Sequence, residues 1–276
     1  MIETIYVEDA IQNHPKTKFI LNKFKKSRII SINKYGEIFN KRNQNFRIQK
    51  ANPCIILAHK KDGFVLSAPE GFGIGSSKNF YFSHMLNCLY DCRYCFLQGM
   101  YPSAHYLLFV NYEDFFDEIK WTQEEEPIEP SWFFSGYDCD SLALESLTGF
   151  VSAALPFFAD HPTAHLELRT KSVATKVLET SAPLANVVTA FSFTPQEISE
   201  SIENGVPSVS SRIEAMNRLQ KHGWKLGIRL DPIIDCQDFE TRYENLIKAI
   251  FSAISPEIIH SVSLGPFRLP DPFFKK

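Results

Sequence analysis

From about residue 81 the chain alternates short apolar runs with longer segments of helical period, an order that predicts a parallel sheet with crossover helices. Six runs read as strands: NFYFSHM (79–85), SWFFSG (131–136), AHLELRT (164–170), NVVTAFSFT (186–194), WKLGIRLDPI (224–233) and IIHSVSLG (258–265). Between them YEDFFDEIKW, LALESLTGFVSAALPFF (142–158), SVATKVLET (172–180), the pair EISESIE and VSSRIEAMNRLQKHG, and DFETRYENLIKAIFSAI read as helices. Gly223, just after Leu219 and Gln220, is a normal helix stop before a strand. Residues 1–80 lack this alternation. There ILNKFKK (20–26) reads as helix, RIISI and CIILAHK as strands, and GFGIGSSK as a loop. That loop lacks the Lys-Ser ending of a phosphate-binding loop and reads as a flexible entry to the barrel. The expected fold is α/β: a partial TIM-like (βα)6 barrel over residues 81–276, preceded by a basic α+β extension over residues 1–80.

Composition is compatible with that fold. The chain has 276 residues, 44% hydrophobic and 22% charged, close to the ~250 residues typical of a full α/β barrel. No apolar run is long enough to cross a bilayer, so no membrane partner is expected. The start, MIETIYVEDAIQNHPKTK, has no apolar core of a signal peptide. Net charge is −3, which argues against a generally sticky nucleic-acid binder. The local bias says more. Residues 16–61 are rich in Lys and Arg and hold a single carboxylate, Glu37. Lys23, Lys25, Lys26, Arg28, Lys41, Arg42, Arg47 and Lys50 are interleaved there with Phe24, Tyr35, Phe39 and Phe46. Such a stretch either follows a phosphate backbone or forms a solvated basic face. Residues 113–129 are acidic and are expected to face away from any nucleic acid.

The densest chemistry lies in NCLYDCRYCF, where Cys88, Cys92 and Cys95 form C-x3-C-x2-C. Three thiolates this close can hold three corners of a 4Fe–4S cubane and leave the fourth iron open for a ligand. Zinc is the alternative, but it needs a fourth ligand, and there is no second CxxC. His84 could serve only by crowding the short connection. A disulfide framework suits small secreted domains rather than a chain of this size. Free thiols beside an exposed cluster loop need a reducing compartment, so a cytoplasmic location is expected.

Other polar residues fall at the carboxyl ends of the expected strands, where barrels carry their chemistry. The cysteines follow the first strand, and Tyr137 and Cys139 follow the second. Arg169 and Lys171 end the third, Ser192 and Thr194 the fourth, and Asp231 the fifth. Arg268 follows the sixth.

Several strings, in order, resemble the spore photoproduct lyase family of the radical S-adenosylmethionine (SAM) superfamily. CLYDCRYCFLQ resembles its cluster loop, HYLLFVN the segment after it, LELRTKS its third strand and FSF its fourth. SSRIEAMNRLQKHGWKLGIRLDPII resembles the helix and strand that follow. The resemblance implies a radical SAM partial barrel, a 4Fe–4S cluster on Cys88, Cys92 and Cys95, and SAM bound by its amino and carboxylate groups to the open iron. Lys171 then matches the lysine that meets the SAM carboxylate, Ser192 a serine near SAM, and Tyr94 an aromatic beside it. The implied reaction uses a 5′-deoxyadenosyl radical to take hydrogen from a methylene-bridged thymine dimer in DNA. The bridge then fragments, and a protein thiol returns a hydrogen atom. The implied partners are damaged DNA and a low-potential electron donor such as flavodoxin or ferredoxin.

The departures are specific. Counting back from Lys171, the family's hydrogen-donating cysteine falls at Tyr137, with Cys139 two residues later. The tyrosine after the third ligand is Phe96 here. Asp231 stands where the family usually has a small residue, so it joins the expected cofactor contacts. Either Cys139 and Tyr137 carry the donor role, or the chain acts on another lesion or a non-DNA substrate. A non-catalytic, zinc-stabilised nucleic-acid-binding protein is the rival from another class. The chain stops soon after the sixth strand, in a Pro-rich end expected to cap the barrel unless the sequence continues.

Overall fold

The computed structural model describes residues 2–125 and 129–267. In chain order its strands are β1 (Thr4–Glu8), β2 (Arg28–Ile32), β3 (Ile55–Ala58), β4 (Leu66–Ser67), β5 (Asn79–Phe82), β6 (Met85–Leu86) and β7 (Asp91–Cys92). Then come β8 (Tyr106–Phe109), β9 (Ser131–Ser135), β10 (Ala164–Thr170), β11 (Val187–Ser192), β12 (Glu203–Asn204), β13 (Lys225–Ile233) and β14 (Ile259–Pro266). The helices are α1 (Pro15–Asn22), α2 (Gly36–Phe39), α3 (Phe46–Ala51), α4 (Tyr112–Glu124) and α5 (Glu145–Thr148). They continue with α6 (Phe150–Asp160), α7 (Lys176–Glu179), α8 (Gln196–Ile202), α9 (Val209–Lys221) and α10 (Phe239–Ala253).

A strand forms within each of the six apolar runs. Together they make one parallel series, β14-β13-β11-β10-β9-β5, with β4 antiparallel to β5 at its edge. With the crossover helices this is the expected partial (βα)6 barrel. Parallel strands covered on both faces need continuous apolar runs; accordingly, every residue of β9 and of β11 is buried. Inside the barrel Arg229 and Glu167, both fully buried, are joined by two hydrogen bonds of 3.1 and 2.6 Å.

A second sheet has the order β2-β1-β3-β8-β6. It recruits β6 and β8 from beyond the barrel's first strand. The run at 79–85 is therefore two strands in two sheets. Phe82 packs into the main core, and Met85 into a second cluster with Ile5, Val7, Leu57 and Leu108. The main core extends from Ile32, Phe39 and Ile56 to Leu168 and Phe191. No helix among the described residues is long and apolar enough to cross a membrane.

Three of the helices expected from the sequence differ in extent, and α2 and α3 lie where none was expected. The first covers Pro15–Asn22 instead of 20–26. Pro15 occupies the first turn, where its missing N–H costs nothing, and the His14 side chain accepts from Lys16 N. In SVATKVLET only Lys176–Glu179 is helical, because Ser172 Oγ accepts from Ala174 N in a local turn that competes with helix. The segment 142–158 breaks at Gly149 (φ +56°), and Glu145 then caps the second piece by accepting from Val151 N (2.9 Å) and Ser152 N (3.1 Å). Gly149→Ala is expected to cost about 1–2 kcal/mol, since a Cβ is penalised in the left-handed region. Urea unfolding at equilibrium reads that difference.

Candidate active site

The cysteine loop is anchored by its neighbours in sequence and space. Asn87 leaves β6 in the left-handed region (φ +70°), which asparagine tolerates. Its side chain donates to Ser103 O and His105 O, both at 2.8 Å, and so closes the far end of the loop. Cys92 lies on β7, which pairs antiparallel with β12 so that Cys92 stands opposite Glu203. Arg93 N adds a bond to Ile202 O at 2.8 Å. Cys95 N bonds to Cys92 O at 3.0 Å, turning the chain into a single helical turn at Phe96–Gln98.

All three cysteines are free of disulfides. Burial pushes the Cys88 thiol up, aided by Asp140 and the neighbouring thiols; it pushes Cys92 up to about 12 and raises Cys95 as well. Ionising them together requires nearby cations, as metal binding supplies. Among the described residues no group of three His, Cys, Asp or Glu side chains gathers around a position for one metal ion. The three thiols line one cavity; three thiolates can hold three corners of a cubane, whereas a structural zinc takes four ligands. His84, the possible fourth zinc ligand, is in the core. It stacks on Phe150 at 4.0 Å, and burial lowers its pKa to about 3.

The cavity that the thiols line has a volume of about 420 Å³, within the roughly 300–1,000 Å³ common for small-molecule sites. Tyr94, Lys171, Ser192, Asp231, Tyr137 and Cys139 line it as well. The three cysteines, Tyr94, Tyr137, Cys139, Arg169, Lys171, Ser192 and Asp231 therefore reach one space, whereas Thr194, also read at a strand end, is not part of its lining. Phe72 of the glycine-rich loop and Phe267 also line it. Arg268 lies outside the described residues.

The detailed contacts give each wall its character. Lys171 Nζ lies 3.9 Å from Glu203 Oε1 and 5.7 Å from the centre of the Tyr94 ring. The Tyr94 hydroxyl donates to Glu203. Arg169 Nε donates to Glu167 Oε1 (3.1 Å), and its Nη1 stands 4.0 Å from Asp231 Oδ2. Tyr137 stacks on Tyr81 at 4.4 Å, with Phe96 6.0 Å away on another side. Cys139 is buried, and burial together with Cys88, Asp138 and Asp140 raises its thiol well above the usual range. Cys54 and Cys236 lie outside the cavity wall.

Sequence reasoning missed the residues that support this wall. Asp140 is buried and accepts from Lys171 N (2.6 Å), Thr170 Oγ1 (2.7 Å), Ala143 N (2.8 Å) and Leu142 N (3.0 Å). It thereby ties the end of β10 to the segment after β9. Glu203 and Arg212, buried beneath Lys171 and Ser192, form a 2.9 Å ion pair. Arg212 Nη1 also donates to Ser192 O at 2.7 Å. Arg212 sits among Ser210, Ser211 and Glu214 on a mixed helix, so nothing in the local sequence set it apart from a surface cation.

The comparisons agree with this architecture. A spore photoproduct lyase of Bacillus subtilis (strain 168) is 22% identical over 267 residues, covering 95% of this chain and 76% of its own length. Another, from Geobacillus sp. (strain Y412MC61), is 24% identical over 164 residues, covering 59% of this chain and 48% of its own. Among solved structures, a spore photoproduct lyase complexed with dinucleoside spore photoproduct superposes with a TM-score of 0.85 at 18% identity, covering 100% of this chain and 81% of that one. A mutant form of spore photoproduct lyase gives a TM-score of 0.87 at the same identity and coverage. At that identity the structural likeness speaks for the fold. The family model for spore photoproduct lyase matches residues 1–267, and the chain belongs to that family.

Proposed function

We propose that this chain, a radical SAM lyase by its family, repairs a thymine photoproduct in DNA. In this reading Cys88, Cys92 and Cys95 hold a 4Fe–4S cluster. When bound, the cluster and SAM supply the 5′-deoxyadenosyl radical. The chain's own residues bind and orient. The Lys171 ammonium pairs with the SAM carboxylate in a charge-assisted contact, while Tyr94, Ser192 and Asp231 form the rest of the cofactor's wall. Tyr137 and Cys139 hold hydrogen for return to the product. Phenol and thiol are side chains that give up a hydrogen atom readily, and the raised pKa of Cys139 keeps its thiol protonated. Extruding the lesion from the duplex costs a few kcal/mol, partly offset because damaged bases pair poorly. The basic stretch of residues 1–80 is assigned to the phosphate backbone, and a low-potential flavodoxin or ferredoxin in the cytoplasm to electron supply.

The observation that carries this reading is the shared cavity of about 420 Å³, into which three thiols, one lysine and both hydrogen-donor candidates open. A second reading, a radical SAM enzyme acting on another lesion or substrate, is favoured by Tyr137 and Phe96 standing where the family carries Cys and Tyr. One assay separates them: anaerobically reconstituted, reduced enzyme is given SAM and dinucleoside spore photoproduct, and products are separated. Recovered thymines support repair; deoxyadenosine without thymine supports the second reading. The double variant Tyr137→Phe/Cys139→Ala is expected to keep SAM cleavage and lose repair by roughly tenfold or more, a barrier increase of at least about 1.4 kcal/mol. Unchanged repair would remove both residues from the donor role.

A further inference from the structure

Helix α3 lies within the basic stretch, yet three of its side chains turn toward the cysteine loop. Asn45 caps it by accepting from Ile48 N (3.1 Å). Arg47 and Lys50, three positions apart, share a helix face. Lys50 Nζ donates to Cys88 O (2.5 Å) and Tyr90 O (3.0 Å). Arg47 Nη1 donates to both Asp91 carboxylate oxygens, at 3.0 and 3.2 Å. Gln49 Oε1 accepts from Ala104 N (2.9 Å) and Ser103 Oγ (3.2 Å), at the loop's far end. One short helix thus holds the loop at both ends, while β12 pairs with its middle.

Lys50 is the member of this brace with a charge to contribute. Its amine is half-buried and lies 5.9 Å from the centre of the Tyr106 ring. A cluster held by three thiolates is anionic and gains another negative charge on reduction. Its potential depends on nearby charge and hydrogen bonding.

We infer that Lys50 is a positioning residue for the iron–sulfur site. Its two hydrogen bonds fix the backbone around Cys88, and its ammonium makes the reduced state easier to reach. This inference rests on the reading that Cys88, Cys92 and Cys95 hold the cluster. It also reassigns part of the basic stretch: Arg47 and Lys50 serve the loop, not a nucleic acid.

The test is anaerobic potentiometry of reconstituted full-length protein, followed by electron paramagnetic resonance, with iron and sulfide measured on each sample. Lys50→Gln is expected to load iron and to show about a tenfold lower reduced-to-oxidised ratio at a fixed potential, a 59 mV fall for a one-electron couple. Lys50→Arg, which retains the charge, is expected to titrate with the wild type. Loading of Lys50→Gln with the wild-type potential overturns the inference. Should Lys50→Gln fail to load, normal loading and potential in Lys50→Arg support it, and failure of both overturns it. Wild-type protein that takes up no iron and sulfide fails the cluster reading itself, a result distinct from an unchanged potential.

Discussion

Cys92→Ala is expected to abolish cluster loading and SAM cleavage together while leaving the fold in place. Cys92 is the middle thiol of the three, on the two-residue strand paired with Glu203. With it gone, two thiols remain, and two cannot hold three corners of a cubane. Its burial, which lifts the thiol to about 12, means that ionisation depends on a compensating cation. The fold loses only one sulfur atom, a change of about 1 kcal/mol by analogy with small core deletions. Iron and sulfide analysis after anaerobic reconstitution should therefore fall to background, while the urea midpoint stays near that of the wild type. Full iron loading with intact SAM cleavage in this variant would refute the assignment. A wild-type protein holding zinc without sulfide would favour the zinc-stabilised alternative.

The strands and the chemistry were legible for related reasons. Buried parallel strands require unbroken apolar runs, and SWFFS, all buried as β9, is such a run. The three cysteines are neighbours in sequence, so their chemistry needs no tertiary information. Tyr137, Lys171, Ser192 and Asp231 could be grouped because each lies at or just beyond a strand's carboxyl end, and barrel topology makes those ends converge. What escaped was set by contacts distant in sequence. Glu145 caps α6 only because the chain turns at Gly149. The β7–β12 pair spans two residues per strand, too few for any periodicity. Lys50 looked like one more surface cation in a basic stretch; its bonds to Cys88 and Tyr90 cross about forty residues of chain. Glu203 is the last residue of the expected helix EISESIE, with nothing local to mark it, yet it is buried against Arg212, Tyr94 and Lys171.

Arg212→Met should be the most destabilising substitution near the cavity, by about 3–5 kcal/mol, because it strips a buried carboxylate of its closest cation. Arg212 and Glu203 are both fully buried at their side chains and 2.9 Å apart. Arg212 Nη2 also meets Ser199 Oγ at 2.7 Å, and Ser199 Oγ donates to Glu203 Oε2 at 2.7 Å. Without the guanidinium, Glu203 keeps Lys171 at 3.9 Å as its remaining cation, so the variant should also draw Lys171 away from the SAM carboxylate we propose it meets. Adding Glu203→Gln removes the stranded charge, and the double variant should recover part of the loss. The pH dependence follows from the same pair. Desolvation raises the Glu203 carboxyl, but Lys171 and Arg212 outweigh it, and the net shift is downward from 4.5. A carboxyl lowered on folding stabilises the protein above its unfolded value and loses that contribution as pH falls through the folded one. Wild-type stability should therefore decline below about pH 4.5, as the linkage relation requires. In Arg212→Met the carboxyl loses much of what lowers it, so its contribution to the acid decline shrinks or reverses, and the gap between the proteins should narrow as pH falls below about 4.5. Urea unfolding across that range decides the matter: a gap that stays constant from neutral pH downward would mean that Arg212 stabilises by packing alone.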